Sequence, residues 1–295
     1  MNHSHCVNGF LFYFENMNWV LINGKINSAS DPQLMYDNHG YRYGDGLFET
    51  MKVIQGNIQL ESYHFERLKT GMETLKFRTP HFFTLEKIKN EVTQLCLKNK
   101  CNSLARVRLS VSRGGGGLYD SDDRFQYLIE CQPLNKTMNQ LNENGLIIGI
   151  FPDARKAIDK FSNLKSANYL SYVMAALWAK KNKLNDALLL NSHDRICDAT
   201  IANVFWIKNG IVFTPPLSEG CVAGVMRKYM INEMTAKEFI VQEKELSPEK
   251  LEKADEVFLT NSVSEMRWAG QFRNSIYTNK ISKKIFEQFI MPMHS

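Results

Sequence analysis

Apolar and polar positions along the chain divide it into short extended runs and longer helical ones. Trp19-Val20-Leu21-Ile22 is an apolar run closed by Asn23-Gly24, which predicts a strand entering a hairpin. Glycines at 40, 44 and 46 predict a turn or a close backbone approach before a strand that runs through Val53. Ile54-Gln55-Gly56-Asn57 reads as a second hairpin turn. From Leu60 the spacing turns helical, with His64, Arg67 and Leu68 on one face. A second helix is predicted from about Thr84 to Lys98, with Leu85, Ile88, Val92 and Leu95 as its apolar stripe. Ala105 to Ser112 alternates, Arg106 and Arg108 against Val107, Leu109 and Val111. That pattern predicts a strand exposed on one side, ending at Arg113 and the glycine run 114–117. Tyr127 to Cys131 is another strand. These short connections suit an antiparallel α+β half.

The polar stretch Pro133 to Asn144 is expected to link two domains, a small one at 1–132 and a larger one at 133–295 that carries Lys165. Residues 1–17 are set apart as a tail whose order the sequence leaves open. In the second half, Ile147–Phe151, Ala187–Leu190, Ile196–Ala202, Val204–Lys208 and Glu256–Thr260 read as strands. Helices are predicted after Lys165 to about Lys183, from Gly224 through Arg227 and Met230, and at Lys283–Phe289. The alternation of elements predicts an α/β (α+β) fold without repeats or heptads.

Composition narrows the classes. The chain has 295 residues, 44% hydrophobic and 23% charged, ordinary for a globular protein with a sizeable core. The net charge of +5 comes without a basic block interleaved with aromatics, so no nucleic-acid partner is expected. The Phe10–Phe14 run is broken by Glu15 and Asn16, too short for a membrane span and without a basic n-region, so a cytoplasmic location is expected. Six cysteines without a CxxC pair suit free thiols in a reducing compartment, and no metal is expected.

Candidate chemistry centres on Lys165, within Asn163-Leu164-Lys165-Ser166-Ala167-Asn168-Tyr169-Leu170. A lysine among small and apolar residues is either a solvated surface charge or an amine that attacks carbonyls. Taken alone the surface reading is favoured, because the chain has 36 Lys and Arg. A lysine that binds pyridoxal phosphate needs an acid opposite the ring nitrogen and a cup for two phosphate charges. Asp198, the helix start Gly224-Val225-Met226-Arg227, the polar loop Thr260-Asn261-Ser262-Val263-Ser264 and Arg67 are candidates. Singly, each has a plain structural reading as a turn, a cap or a surface ion pair. The tetraglycine lacks the Lys-Ser/Thr of a phosphate loop.

Together, Tyr43-Gly44-Asp45-Gly46-Leu47-Phe48-Glu49-Thr50, His64-x-x-Arg67-Leu68, Leu164-Lys165-Ser166-x-Asn168-Tyr169-Leu170, Ala202-Asn203-Val204-Phe205, Gly224-Val225-Met226-Arg227 and Thr260-Asn261-Ser262-Val263 resemble the class IV aminotransferases. These fold-type IV pyridoxal-phosphate enzymes include branched-chain aminotransferases, D-amino-acid aminotransferases and 4-amino-4-deoxychorismate lyases. The match runs through nearly everything from Trp19 onward.

The resemblance implies a two-domain, D-amino-acid-aminotransferase-like fold with the cofactor at the domain interface, usually a homodimer. It implies that Lys165 forms the Schiff base with the cofactor and moves protons at the substrate carbon. Arg67 would hold the phosphate, with the Val225 and Met226 amides and Ser262 with Val263. Asp198 would face the ring nitrogen, Phe48 would line the substrate pocket and Arg113 would sit near the substrate carboxylate. The family usually has Glu at the Asp198 position. Aspartate is one methylene shorter, so the contact is expected to need a small backbone shift or a bridging water. Gly46–Thr50, Arg106–Ser112 and Thr260–Val263 look like lyase members, which release p-aminobenzoate and pyruvate. Branched-chain transamination with 2-oxoglutarate is the alternative, because both reactions begin with proton abstraction at the substrate carbon. Phe48, where D-amino-acid enzymes often have Tyr, argues against that branch. A cofactor binder without turnover is a third class, which the intact Lys165 opposes.

Overall fold

Alternation along Leu104–Arg113 buries Val107, Leu109 and Val111 and leaves Arg106, Arg108 and Ser110 half-buried on the opposite face. This follows from the two-residue period of extended backbone. In the computed structural model, residues 18–31, 34–120, 122, 124–237 and 239–294 are described; the tail to Met17 lies outside them. The chain divides into two units.

The first unit runs to Thr137 and also takes in residues 164–169. Its strands are β1 (Trp19–Ile22), β2 (Lys25–Ser28), β3 (Gly46–Ile54), β4 (Asn57–Ile58), β5 (Leu104–Arg113) and β6 (Phe125–Pro133). They form a six-stranded sheet in the order β2-β1-β6-β5-β3-β4, every pair antiparallel. A short helix α1 (His39–Tyr43) ends at Gly44, whose φ of 68° favours glycine. At Gly46 a Cβ would meet the Val111 carbonyl oxygen at 2.6 Å, so this position also needs glycine. Helices α2 (Glu61–Thr74) and α3 (Leu85–Lys98) pack the sheet face that carries Leu47, Met51, Val53, Val107 and Leu109.

The Lys165 segment, read from sequence as part of the C-terminal domain, clusters with this first unit. The reason is backbone pairing: Phe48 N–H donates to the Lys165 carbonyl and Ala167 N–H to the Gly46 carbonyl, both at 2.9 Å. β4 covers only Val53 and Ile54, and the Lys165 segment pairs at the start of β3 instead. The polar run 133–144 is a linker only in part. Met138 is buried, the Gln140 carbonyl accepts from Arg267, and Asn142 Oδ1 accepts from Trp268 N–H at 3.0 Å.

The second unit holds residues 138–163 and 170 onward. Its strands are β7 (Leu146–Lys156), β8 (Asp186–Asn191), β9 (Ile196–Ala199), β10 (Asn203–Lys208), β11 (Ile211–Thr214), β12 (Val241–Glu243), β13 (Glu256–Asn261), β14 (Glu265–Phe272) and β15 (Ser275–Ile276). They form a nine-stranded mixed sheet in the order β12-β11-β10-β13-β14-β7-β8-β9, with β15 on β14. Its helices are α4 (Leu170–Lys181), α5 (Val225–Ala236), α6 (Pro248–Glu252) and α7 (Lys280–Ile285). The strand expected over Ile196–Ala202 ends at Ala199, where Asp186 takes the Thr200 N–H and hydroxyl. No described helix is long and apolar enough to cross a membrane.

Candidate active site

In the first unit, the start of β3 presents Phe48 and Glu49 and the paired segment presents Lys165. The half-buried Lys165 places Nζ 3.2 Å from Tyr169 Oη and 4.9 Å from the centres of both the Phe48 and Tyr169 rings. Those rings meet edge to face at 5.5 Å. The Arg108 guanidinium lies 3.7 Å from the Phe48 ring centre, a close cation–π contact. Thr50 and Arg108 are cross-strand partners, as are Lys52 and Arg106, so one face of the sheet gathers Lys52, Arg106 and Arg108. Burial lowers the pKa of Arg106 and Arg108, and the nearby Glu130 charge works against that drop.

On the other side of β3, Glu49 is 1% exposed and joins two residues of α2. Arg67 Nε donates to Glu49 Oε1 at 2.8 Å, and a second guanidinium N–H reaches Oε2. His64 Nδ1 lies 2.6 Å from Glu49 Oε2. Burial alone would raise the Glu49 carboxyl, but the charge of Arg67 and the hydrogen bond from His64 more than offset it and hold it at about 2. Burial, with the charges of Arg67 and Lys165, pushes His64 below its usual value despite Glu49. The imidazole is therefore neutral near pH 7, with its proton on Nδ1 facing Glu49. Glu49 takes Nε and one terminal nitrogen of Arg67 and so fixes the plane of the guanidinium.

Arg113, expected near the substrate carboxylate, makes scaffold contacts. Its Nε donates to Asp45 Oδ2 at 2.8 Å, it also donates to the Leu75 and Lys76 carbonyls, and it lies over Phe77 at 4.6 Å. The guanidinium over the Phe48 ring is that of Arg108.

In the second unit, β9 carries Asp198, 2% exposed. Its Oδ2 accepts from Lys156 Nζ (2.8 Å), Tyr172 Oη (2.8 Å) and Val222 N–H (2.9 Å). Its Oδ1 accepts from Asn203 Nδ2 at 3.0 Å. The short Asp side chain is thus held by four direct donors. Burial alone would push the Lys156 ammonium down, but the Asp198 charge outweighs it and the net shift is upward. Of the two oxygens, Oδ1 has one described donor and so retains acceptor capacity.

Asn203 also bonds the Val222 carbonyl at 2.9 Å and lies against Gly224, where a Cβ would sit 1.8 Å from Asn203 Oδ1. Gly224 is the N-cap of the twelve-residue α5 and supplies no side-chain cap. The amides at Val225 and Met226 are therefore first-turn donors of the kind that bind phosphate. In the 260–264 loop, Asn261 Oδ1 accepts from the Val263 and Ser264 N–H groups at 2.9 and 2.8 Å, so the Val263 amide is committed within the loop. Thr260 Oγ1 is buried with no hydrogen-bond partner among the described residues, which leaves it able to bond a ligand or a water. The amine and fixed guanidinium of the first unit, and the buried carboxylate, bare helix start and hydroxyl of the second, are each of a donor type that pyridoxal phosphate uses.

Sequence reasoning missed Arg108, Lys156 and Tyr172, and gave Glu49 and Tyr169 no role. Glu49 and Tyr169 stood inside recognised motifs. Arg108 was signalled by alternation, and Lys156 by nothing in its neighbourhood.

Residues 46–270 match the amino-transferase class IV family. A Methanocaldococcus jannaschii protein provisionally named a branched-chain-amino-acid aminotransferase is 29% identical over 282 residues, covering 92% of this chain and 94% of its own. The aminodeoxychorismate lyase of Bacillus subtilis is 29% identical over 257 residues, 84% of each chain. The branched-chain aminotransferase of Thermoproteus uzoniensis, solved with norvaline, shares the fold with a TM-score of 0.83 at 21% identity over 94% of both chains. With mixed helices and sheets matching those structures and a family match across most of its length, the chain belongs to the class IV aminotransferases, a family of pyridoxal-phosphate-dependent enzymes.

Proposed function

We propose that this enzyme is a 4-amino-4-deoxychorismate lyase that releases pyruvate and p-aminobenzoate, the latter feeding folate synthesis. The observation that carries this reading is the chemistry beside Lys165: two aromatic rings, Phe48 and Tyr169, with the half-buried cations Arg108 and Arg106 on the adjoining strand. A cyclic dicarboxylate uses both features, its ring against the aromatic faces and its carboxylates against the guanidinium groups. Transamination of branched-chain amino acids with 2-oxoglutarate is the second reading, supported by the Methanocaldococcus relative.

The residues proposed to hold the cofactor are Lys165 and Arg67 in the first unit and Asp198, Val225, Met226 and Ser262 in the second. Thr260 takes the place expected of the Val263 amide. When bound, pyridoxal phosphate supplies an electron sink for charge developing at the substrate carbon. Lys165 anchors it and carries the proton to and from that carbon through Nζ. Tyr169 Oη, 3.2 Å from Nζ, orients the amine. Arg108 binds a substrate carboxylate, a role the sequence reading gave to Arg113. Phe48 covers Lys165 on its apolar side and excludes water.

A homodimer is also proposed. Leu170, Val173, Met174 and Leu177 are 47–69% exposed at i, i+3, i+4 and i+7 along α4, an apolar stripe that a second copy would cover. Five described cysteines are free thiols, which supports a cytoplasmic location.

The test assays purified enzyme for pyruvate and p-aminobenzoate release, and in parallel for 2-oxoglutarate-dependent conversion of leucine. Lyase products without leucine turnover support the first reading. Leucine turnover without lyase product replaces it with the second.

A further inference from the structure

Spacing along the chain gave no metal motif, but folding assembles one. Cys96, Cys101 and Cys131 place their Sγ atoms within 4.8 Å of one another, at 0–2% exposure. Two features of the first unit do this. Helix α3 closes with Lys100 in the left-handed region (φ 56°), with Cys101 N–H donating to the Cys96 carbonyl at 2.9 Å and Lys100 N–H to the Leu97 carbonyl at 3.1 Å. This Schellman closure brings residues 96 and 101 together. Strand β6 then adds Cys131, whose Sγ is 3.5 Å from Cys101 Sγ.

A helix cap accounts for the first pair as packing of small apolar side chains. It does not account for the third sulfur or for the amide aimed at it. Asn99 Nδ2 lies 3.2 Å from Cys131 Sγ. Its orientation is fixed, because Asn99 Oδ1 accepts from Trp19 N–H at 3.1 Å and Nδ2 also donates to the Trp19 carbonyl at 2.9 Å. An N–H directed at sulfur stabilises a thiolate more than a thiol.

We propose that Cys96, Cys101 and Cys131 form a three-sulfur site for one soft, thiophilic ion, Cu(I). Three sulfurs around an ion with metal–sulfur bonds of about 2.3 Å stand about 4 Å apart, so small rotamer changes suffice. Structural zinc needs a fourth ligand. Among the described residues no histidine or carboxylate joins the group, and Asn99 Oδ1 is taken by Trp19. Soft sulfur ligands at low coordination in an apolar shell select Cu(I). Each metal–sulfur bond replaces an S–H bond or takes a thiol lone pair, and each displaced proton leaves to solvent. The sulfurs and the ion keep their oxidation states.

The experiment titrates the reduced, full-length protein with Cu(I) under anaerobic conditions in competition with bicinchoninate. The expected result is one equivalent taken up per chain. That uptake is lost in Cys101→Ser and in Cys131→Ser, and is weakened about tenfold or more in Asn99→Ala. Thermal unfolding of the metal-free variants, with Cys101→Ala as a second substitution, separates loss of the site from loss of the fold. Equal copper uptake by the serine variants overturns the proposal, as does no uptake by the wild type. Tighter retention of zinc than of copper overturns the three-coordinate assignment.

Discussion

Replacing Lys156 by methionine isolates the interaction that fixes Asp198. The substitution keeps the length of the stem and removes the ammonium 2.8 Å from Asp198 Oδ2, a pair whose side chains are 10% and 2% exposed. Removing one partner of a buried ion pair typically costs 3–5 kcal/mol, because the other charge is left uncompensated. Asp198 keeps three donors, Tyr172, Val222 and Asn203. The lower end therefore applies, about 3 kcal/mol, or a thermal midpoint lower by roughly 6–12 °C for a folding unit of this size. Differential scanning calorimetry of the cofactor-free protein measures the loss. Lys156→Met with Asp198→Asn should recover much of the loss, because no buried charge remains. A deficit below about 1 kcal/mol, the size of an exposed ion pair, refutes the claim that Lys156 neutralises a buried carboxylate.

Four further outcomes are expected. Arg108→Met should lower kcat/KM for the anionic substrate by roughly tenfold to a hundredfold, mostly through KM, the loss of one charge-assisted contact. Arg113→Met should instead cost stability, about 1–3 kcal/mol by chemical denaturation, with kcat/KM nearly unchanged. Burial pushes the Asp186 carboxyl from 3.8 to about 6, against the pull of Thr200 and the Ala187 N–H. Its stabilising protonation is fully present below pH 3.8 and lost as pH rises through 6, about 3 kcal/mol in all. Asp186→Asn should remove that slope from a thermal-midpoint profile between pH 4 and 7. Glu49→Gln should remove a contribution that the wild type holds above pH 4.5 and loses as pH falls toward about 2, read by acid denaturation.

Much of the fold was legible because two periods carried it. The alternation from Arg106 to Val111 and the stripe Leu85, Ile88, Val92 and Leu95 both became the predicted elements. The Asn23-Gly24 and Gln55-Gly56 hairpins followed from turn chemistry, and both glycines adopt positive φ. Long-range pairing was not legible. Nothing near Lys165 announces that its carbonyl accepts from Phe48 N–H across more than a hundred residues. The same limit explains the arginines: Arg113 heads a glycine run and drew attention, yet its partners Asp45, Leu75 and Lys76 lie far off in sequence. Cys131 likewise stands 30 residues from Cys101, a distance no ligand-spacing rule spans. Lys156 looks like any strand-end lysine until β8 and β9 set Asp198 beside it.

Two buried or half-buried amines, Lys165 and Lys156, now stand near candidate cofactor groups, and only one is assigned to hold the cofactor. Borohydride reduction of the pyridoxal-phosphate-loaded enzyme, followed by peptide mass mapping, decides between them. A phosphopyridoxyl group on the peptide containing Lys165, absent from Lys165→Ala along with the visible absorbance, is the predicted result. Label on Lys156, or none on either lysine, would contradict the assignment on which the proposed chemistry rests.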